Sequence, residues 1–125
     1  MGYCETLAEY NARHPLTQVR MSRDDGRHAI TIGLTGELDM KASSDLTPLL
    51  EASVLECPEN GRLVLDLASV TYIASMGVGL MASLLVKAEK KSVSLVLLDI
   101  PPRVRGIMDV LGLLSFFREE RSASP

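Results

Sequence analysis

The stretch Leu63-Val-Leu-Asp-Leu-Ala-Ser-Val-Thr-Tyr-Ile-Ala-Ser-Met-Gly-Val-Gly-Leu-Met-Ala-Ser-Leu-Leu85 decides the reading of the whole chain. Leu63 to Leu67 is almost continuously aliphatic, which predicts a strand covered on both faces. Ala68 to Ser75 reads as a polar turn. From there Val78, Met81, Ala82 and Leu85 recur at intervals of three and four, the spacing of one helical stripe. Ser75 stands at the join. As an N-cap its hydroxyl would accept a hydrogen bond from a free amide of the first turn, at the helix end that favours negative charge. A phosphate on Ser75 would be well placed there.

Upstream of this stretch, Thr17 to Ser22 and Ala29 to Leu34 alternate as strands do. Asp24-Asp25-Gly26 between them carries turn chemistry, with Gly26 free to take positive φ, so a hairpin is expected. Gly36-Glu37-Leu38-Asp39 follows as a loop. Ser43 or Ser44 then offers an N-cap for a helix whose apolar face is Leu46, Leu49, Leu50 and Val54. With Ser44 as cap, Pro48 falls at the edge of the first turn, where a missing N–H costs least. Residues 1–15 form a separate segment, a short helix or a loose arm, with Leu7 and Tyr10 as its only packing groups.

Downstream, Lys87, Lys90 and Lys91 complement the dipole at the end of the second helix, and Val93 to Leu98 is a further buried strand. Pro101 and Pro102 open a third helix with Val104, Ile107, Met108 and Leu111 on one face, and Gly112 closes it. Leu114 to Phe117 is expected to add a short strand, and residues 118–125 a frayed tail. The fold class is therefore α/β: one domain over 16–117, a mixed sheet begun by an N-terminal hairpin, with helices packed against it and right-handed crossovers between parallel strands.

At 125 residues the chain is the size of one domain. Its net charge is only −3 and its basic residues are dispersed, so it carries no electrostatic footprint for nucleic acid. Its apolar runs are too short for a bilayer, which needs about 20 residues, and Met1 to Thr6 has neither the basic region nor the apolar core of a signal peptide. No membrane insertion and a cytoplasmic location are expected. Cys4 and Cys57 lie far apart without metal-ligand spacing and read as two reduced thiols.

Three patterns suggest chemistry and are set aside. Gly77-Val-Gly-Leu-Met-Ala82 satisfies G-x-G-x-x-A, but a dinucleotide fold places its first glycine directly after the strand, and the second half of that fold is missing. The plainer reading is that Gly77 and Gly79 let the helix start approach a neighbouring backbone closely. A nucleophile elbow at Ser75 would need glycine where Ile73 stands and a histidine beside it, whereas His14 and His28 read as solvated side chains. Asp24 and Asp25 are adjacent acids of a turn without further ligands. No catalysis, cofactor or metal is therefore expected.

Leu-Asp-Leu-Ala-Ser-Val-Thr-Tyr-Ile-Ala-Ser-Met-Gly-Val-Gly79 resembles the signature of the STAS domain, the module of anti-sigma factor antagonists and of sulfate-transporter tails. Leu34-Thr-Gly-Glu-Leu-Asp39 resembles the upstream loop of the same family. The resemblance implies a binding protein whose partner is an anti-sigma factor with serine kinase activity, which phosphorylates the serine matching Ser75. It also implies a partner-binding surface made of Asp39, Ser75, Met76, Gly77 and Val78. Antagonists usually carry aspartate before that serine, where this chain has Ala74-Ser75-Met76. The alternative is an unphosphorylated STAS scaffold, or a ligand-binding subunit of a larger complex such as a transporter assembly.

Overall fold

The computed structural model describes residues 3–122, with side chains from Leu7 onward; the side chain of Cys4 lies outside that range. The chain runs through α1 (Tyr3–Arg13), β1 (Thr17–Asp24), β2 (Ala29–Leu38), α2 (Met40–Glu56), β3 (Arg62–Ile73), α3 (Ser75–Lys90), β4 (Ser94–Leu98), α4 (Pro102–Val110) and β5 (Arg118–Glu120). Short 3-10 turns stand at Asp25–Arg27 and Leu114–Phe116. The sheet order is β1-β2-β3-β4-β5, with β1 antiparallel to β2 and the other neighbours parallel. This is the mixed sheet with an initial hairpin that the sequence implies.

One face of the sheet carries the core. Leu63, Leu65 and Leu67 of β3 cluster with Leu46, Leu49, Leu50 and Val54 of α2, Val78, Met81 and Leu84 of α3, and Val104 and Met108 of α4. Each crossover steps to the next strand in the same direction, so right-handed connections place α2, α3 and α4 on that face together. The opposite face, with Val64, Asp66 and Val96, takes no part in this cluster. There an Arg62–Glu120 ion pair of 2.7 Å spans β4, whose Val96 is fully buried. Long side chains lying across a strand cover it without a second helical layer. The central part of β3 is thus covered on both faces, as its aliphatic run implies, although helices pack on only one of them.

The central strand is longer than its composition suggests. Ala68 to Ile73, expected as a turn, continues β3 beside β2, with register shifts at Gly33/Thr35 and Gly36/Glu37 where β3 holds an extra residue each time. Such bulges change the side-chain period: past Leu67 the buried positions are Val70 and Ile73, three apart rather than two. A spacing of three does not read as a strand. At the hairpin, the positive φ expected at Gly26 falls on His28, at 52°, because Asp24 caps a 3-10 turn through a hydrogen bond from the Arg27 amide. Leu114 to Phe116 forms a 3-10 turn instead of a strand, and Arg118–Glu120 of the expected tail pairs with β4.

Helix ends also differ. Lys91 donates from Nζ to the carbonyls of Val54, at 3.1 Å, and of Leu55 and Cys57, so it satisfies the end of α2 rather than that of its own helix. Lys87 pairs with Glu51 of α2. Cys57 is a buried free thiol, its pKa raised chiefly by burial.

The N-terminal segment is a helix seated on the domain. Tyr10 is 1% exposed and stacks on His14 with ring centroids 4.4 Å apart, while His14 Nε2 donates to Asp45 Oδ2 of α2 at 2.7 Å. His14 is thus paired, not solvated as its polar surroundings suggested. The Tyr10 hydroxyl is buried and has no hydrogen-bond partner among the described residues, and burial, then Asp39 and Asp45, raise its pKa. An unsatisfied buried hydroxyl carries a desolvation cost of about 1–3 kcal/mol. Tyr10→Phe should therefore leave stability unchanged or raise it by about 1 kcal/mol; a clear drop in the urea midpoint would refute this.

The hydrogen bond from His14 holds the Asp45 carboxyl below its ordinary 3.8. The native state then keeps this charge more tightly than the unfolded chain does. The contribution is complete above the unfolded value and is lost as pH falls through the lower native one. Asp45→Asn is expected to flatten the acid limb of a profile of urea midpoint against pH, and an identical limb would show the pair to be idle.

Candidate functional site

One end of the sheet collects the features singled out in the sequence. β2, β3 and β4 are parallel and finish there at Leu38, Ile73 and Leu98, and antiparallel pairing of Thr17 with Gly36 brings the start of β1 to the same end. Gly36 sits at φ 101°, and a Cβ on it would lie 2.0 Å from the Leu16 carbonyl oxygen. Only glycine fits that close approach. Thr17 Oγ1 donates to the Glu37 carbonyl at 2.7 Å, fixing the last turn of backbone before Asp39.

Asp39 is the N-cap of α2. Its Oδ1 accepts the Ala42 amide at 2.8 Å, so neither Ser43 nor Ser44 has the expected role. Ser43 is buried, with its hydroxyl donating to the Leu38 carbonyl at 3.5 Å. Aspartate is an equally good cap and comes directly after the strand, so the helix begins at the first opportunity. Pro48 consequently lies well inside α2, and the Ser44 carbonyl it cannot serve is on an exposed residue where water can reach it.

α3 begins differently. Its N-cap is Ala74, which offers no side-chain hydrogen bond, and Ser75 is the first helical residue rather than the cap. The Ala74 amide donates to the Leu38 carbonyl at 2.8 Å, and the Gly77 and Val78 amides donate to the Ala74 carbonyl at 2.8 and 3.2 Å. The amides of Ser75 and Met76 have no acceptor among the described residues. The positive end of a 16-residue helix is therefore uncapped, with an exposed hydroxyl on its first residue.

The five expected partner-binding residues separate into two groups. Asp39, Ser75 and Met76 are exposed, whereas Gly77 and Val78 are buried. A Cβ at Gly77 would come 2.8 Å from Ile73 Cγ1 and 3.0 Å from Ser43 Oγ, so this glycine lets α3 settle against β3 and α2. Gly79 has open space around it, and no close approach explains it.

Sequence reasoning missed the apolar surroundings. Leu16, Met40, Tyr72 and Met76 are 84%, 65%, 42% and 47% exposed at this end of the sheet. A hollow of about 480 Å³ runs from Ser75 along α4, lined by Pro102, Arg103, Gly106, Ile107 and Val110. Val110 falls off the stripe of Val104 and Met108 and is 86% exposed; Leu111, expected on the buried face, is 43% exposed. An apolar residue off the periodic stripe was the available signal. Clustered exposed apolar groups rimmed by polar ones mark interaction sites.

The arrangement suits binding. No histidine is hydrogen-bonded to Ser75 among the described residues, and His14 is held by Asp45. No group of three or more His, Cys, Asp or Glu among the described residues is placed to hold a metal ion. No helix among them is long and apolar enough to cross a membrane.

Residues 21–116 match the family model described as Mlab, STAS domain. The chain belongs to the STAS domain family. Among solved structures it is similar to the anti-sigma factor antagonist SpoIIAA in its unphosphorylated form, at 21% identity and a TM-score of 0.67, over 85% of this chain and 89% of that one. An anti-sigma factor antagonist from Mycobacterium paratuberculosis is 25% identical with a TM-score of 0.68, over 82% and 84%. One described as a putative antagonist from Thermotoga maritima is 14% identical with a TM-score of 0.72, over 84% and 86%. No curated protein matches significantly. The STAS fold thus places Asp39 and Ser75 at adjoining element starts.

Asp39→Ala should cost about 1 kcal/mol through loss of the α2 cap, while Asp39→Asn retains most of it. Equal urea midpoints for Asp39→Ala and the unaltered protein would show the cap to be dispensable.

Proposed function

We propose that this STAS domain is a cytoplasmic anti-sigma factor antagonist, which binds an anti-sigma factor with serine kinase activity and is released when that partner phosphorylates Ser75. One observation carries the reading: Ser75 is exposed on the uncapped first turn of α3, between the Asp39 turn and a rim of exposed apolar side chains. The similarity to anti-sigma factor antagonists supports it. In the unmodified state the partner covers Met40, Tyr72 and Met76 and reaches the Ser75 hydroxyl. A bound nucleotide of the partner then donates its γ-phosphoryl group. The new bond joins phosphorus to Ser75 Oγ, the bond to the β,γ-bridging oxygen breaks, and the hydroxyl proton passes to a base of the partner.

The product carries about −1.5 to −2 charges at one point. The free Ser75 and Met76 amides stabilise that charge within the chain. Against an apolar or like-charged partner surface the same charge costs several kcal/mol, enough to end binding. Gly77 and Val78 act beneath the surface by holding the helix start in place, and the antagonist needs no active site of its own. Residues 16–117 are the working unit.

A second reading is an unphosphorylated STAS subunit of a larger assembly such as a transporter complex. Ala74 and Met76 at the positions flanking the serine favour it. Incubation with the cognate kinase and ATP should add the mass of one phosphate, absent in Ser75→Ala, and Ser75→Asp should weaken partner binding at least tenfold, about 1.4 kcal/mol. No added mass, together with unchanged Ser75→Asp affinity, would favour the scaffold.

A further inference from the structure

Ser75 shares its hollow with a cation that the fold does not use. The hollow, of about 480 Å³, lies between the starts of α3 and α4, and of the described residues that line it Arg103 is the only charged one. Arg103 stands in the first turn of α4, which has no side-chain cap and no acidic residue in that turn. A cation there lies at the helix end that disfavours it. Its side chain is exposed and has no ion pair or hydrogen bond among the described residues. By contrast Arg105, two residues on, pairs with Glu119, and Arg62 pairs with Glu120. Gly106, one turn after Arg103, has nothing within 4 Å of the place a Cβ would take, so the hollow stays open beside it. Neither packing nor pairing accounts for a free arginine at this position.

We propose that Arg103 is the internal counter-ion of phosphorylated Ser75, turning across the hollow so that its guanidinium holds the phosphate between α3 and α4. This deepens the reading of Ser75 as a phosphoacceptor and rests on it. The guanidinium presents a planar fork that can donate two parallel N–H bonds to phosphate oxygens. Because Arg103 has no partner to leave, no ion pair has to break first. Strand order sets the charges around the serine. Ser75 follows β3, with β2 and the start of α2 on one side and β4 and the start of α4 on the other. On the first side Glu37, Asp39 and Lys41 leave a net negative charge, and on the second Arg103 faces the serine alone. The clamp gives phosphorylation a second effect besides added charge. With its head on the phosphate, the Arg103 stem lies along Ile107 and Val110 and closes the hollow that a partner finds open on the unmodified chain.

Phosphoserine placed at position 75 during synthesis, by a suppressor tRNA, gives the modified full chain without any kinase. Its second ionisation, at about pH 6 for a solvated phosphoserine, can be followed by phosphorus NMR. At low ionic strength the midpoint should lie about 0.5 pH unit below that of the same chain with Arg103→Gln, a threefold difference in proton affinity; water screening keeps it smaller than for a buried pair. Arg103→Lys keeps the charge without the fork and should recover part of the difference, and added salt should shrink it. Arg23→Gln removes the same charge from the far end of the sheet and should leave the midpoint where it is. Equal midpoints with and without Arg103, or an equal displacement by Arg23→Gln, would overturn the clamp. Failure of the cognate kinase to add phosphate would instead overturn the reading of Ser75, since the titration itself needs no kinase.

Discussion

The hydrogen bond from the Ala74 amide to the Leu38 carbonyl joins the two turns on which the surface depends. Leu38 is the last residue of β2 and Ala74 follows the last residue of β3, so one bond closes the parallel ladder and sets the start of α3 beside that of α2. Leu38 and Ile73 are buried directly beneath it, while Asp39 and Ser75, one residue further along from each bonded group, face solvent. The two bulges in β3 are what bring Ile73 level with Leu38. Paired one to one from Ala29 and Arg62, the same strand would carry Ile73 past Leu38 along β2, and the serine would stand away from the aspartate.

The two helix starts divide their chemistry. Asp39 meets the free amides of α2 with its own carboxylate, so that dipole is already answered from within the chain. Ala74 answers nothing, and the amides of Ser75 and Met76 stay open. A helix start left without a cap forfeits about 1 kcal/mol relative to a good one. That deficit sits beside the exposed serine and is the kind of local inconsistency expected where a sequence serves a site as well as a fold.

Much of this was legible from residue spacing. The aliphatic run at Leu63, the stripe from Val78 and the proline pair at Pro101 gave three elements their type and order, and the two motif segments pointed to Asp39 and Ser75. What escaped did so for identifiable reasons. Bulges replaced the strand period of two by three between Leu67 and Ile73, so strand residues looked like a turn. Asp39 and Ser44 are both competent caps, and only the strand end decides between them. Tertiary pairing was invisible: nothing local in the sequence tells that His14 meets Asp45, or that Lys91 serves the carbonyls of α2. Exposure of Leu16 and Met40 is likewise a property of the folded surface and not of their own neighbourhoods.

The opposite ends of α2 and α3 explain why such a surface can stay open. At their C-terminal ends Lys91 bonds to three carbonyls of the α2 terminus, Lys87 pairs with Glu51, and Ala88 and Val54 are buried between strand and helix. The two helices are thereby tied to each other far from Ser75, and Gly77 presses the start of α3 onto β3. A partner meeting Met40, Tyr72 and Met76 has little backbone left to order. The entropy cost of association then falls mainly on the exposed side chains. Rigidity at one end is the condition for a preformed, apolar and hydroxyl-bearing surface at the other.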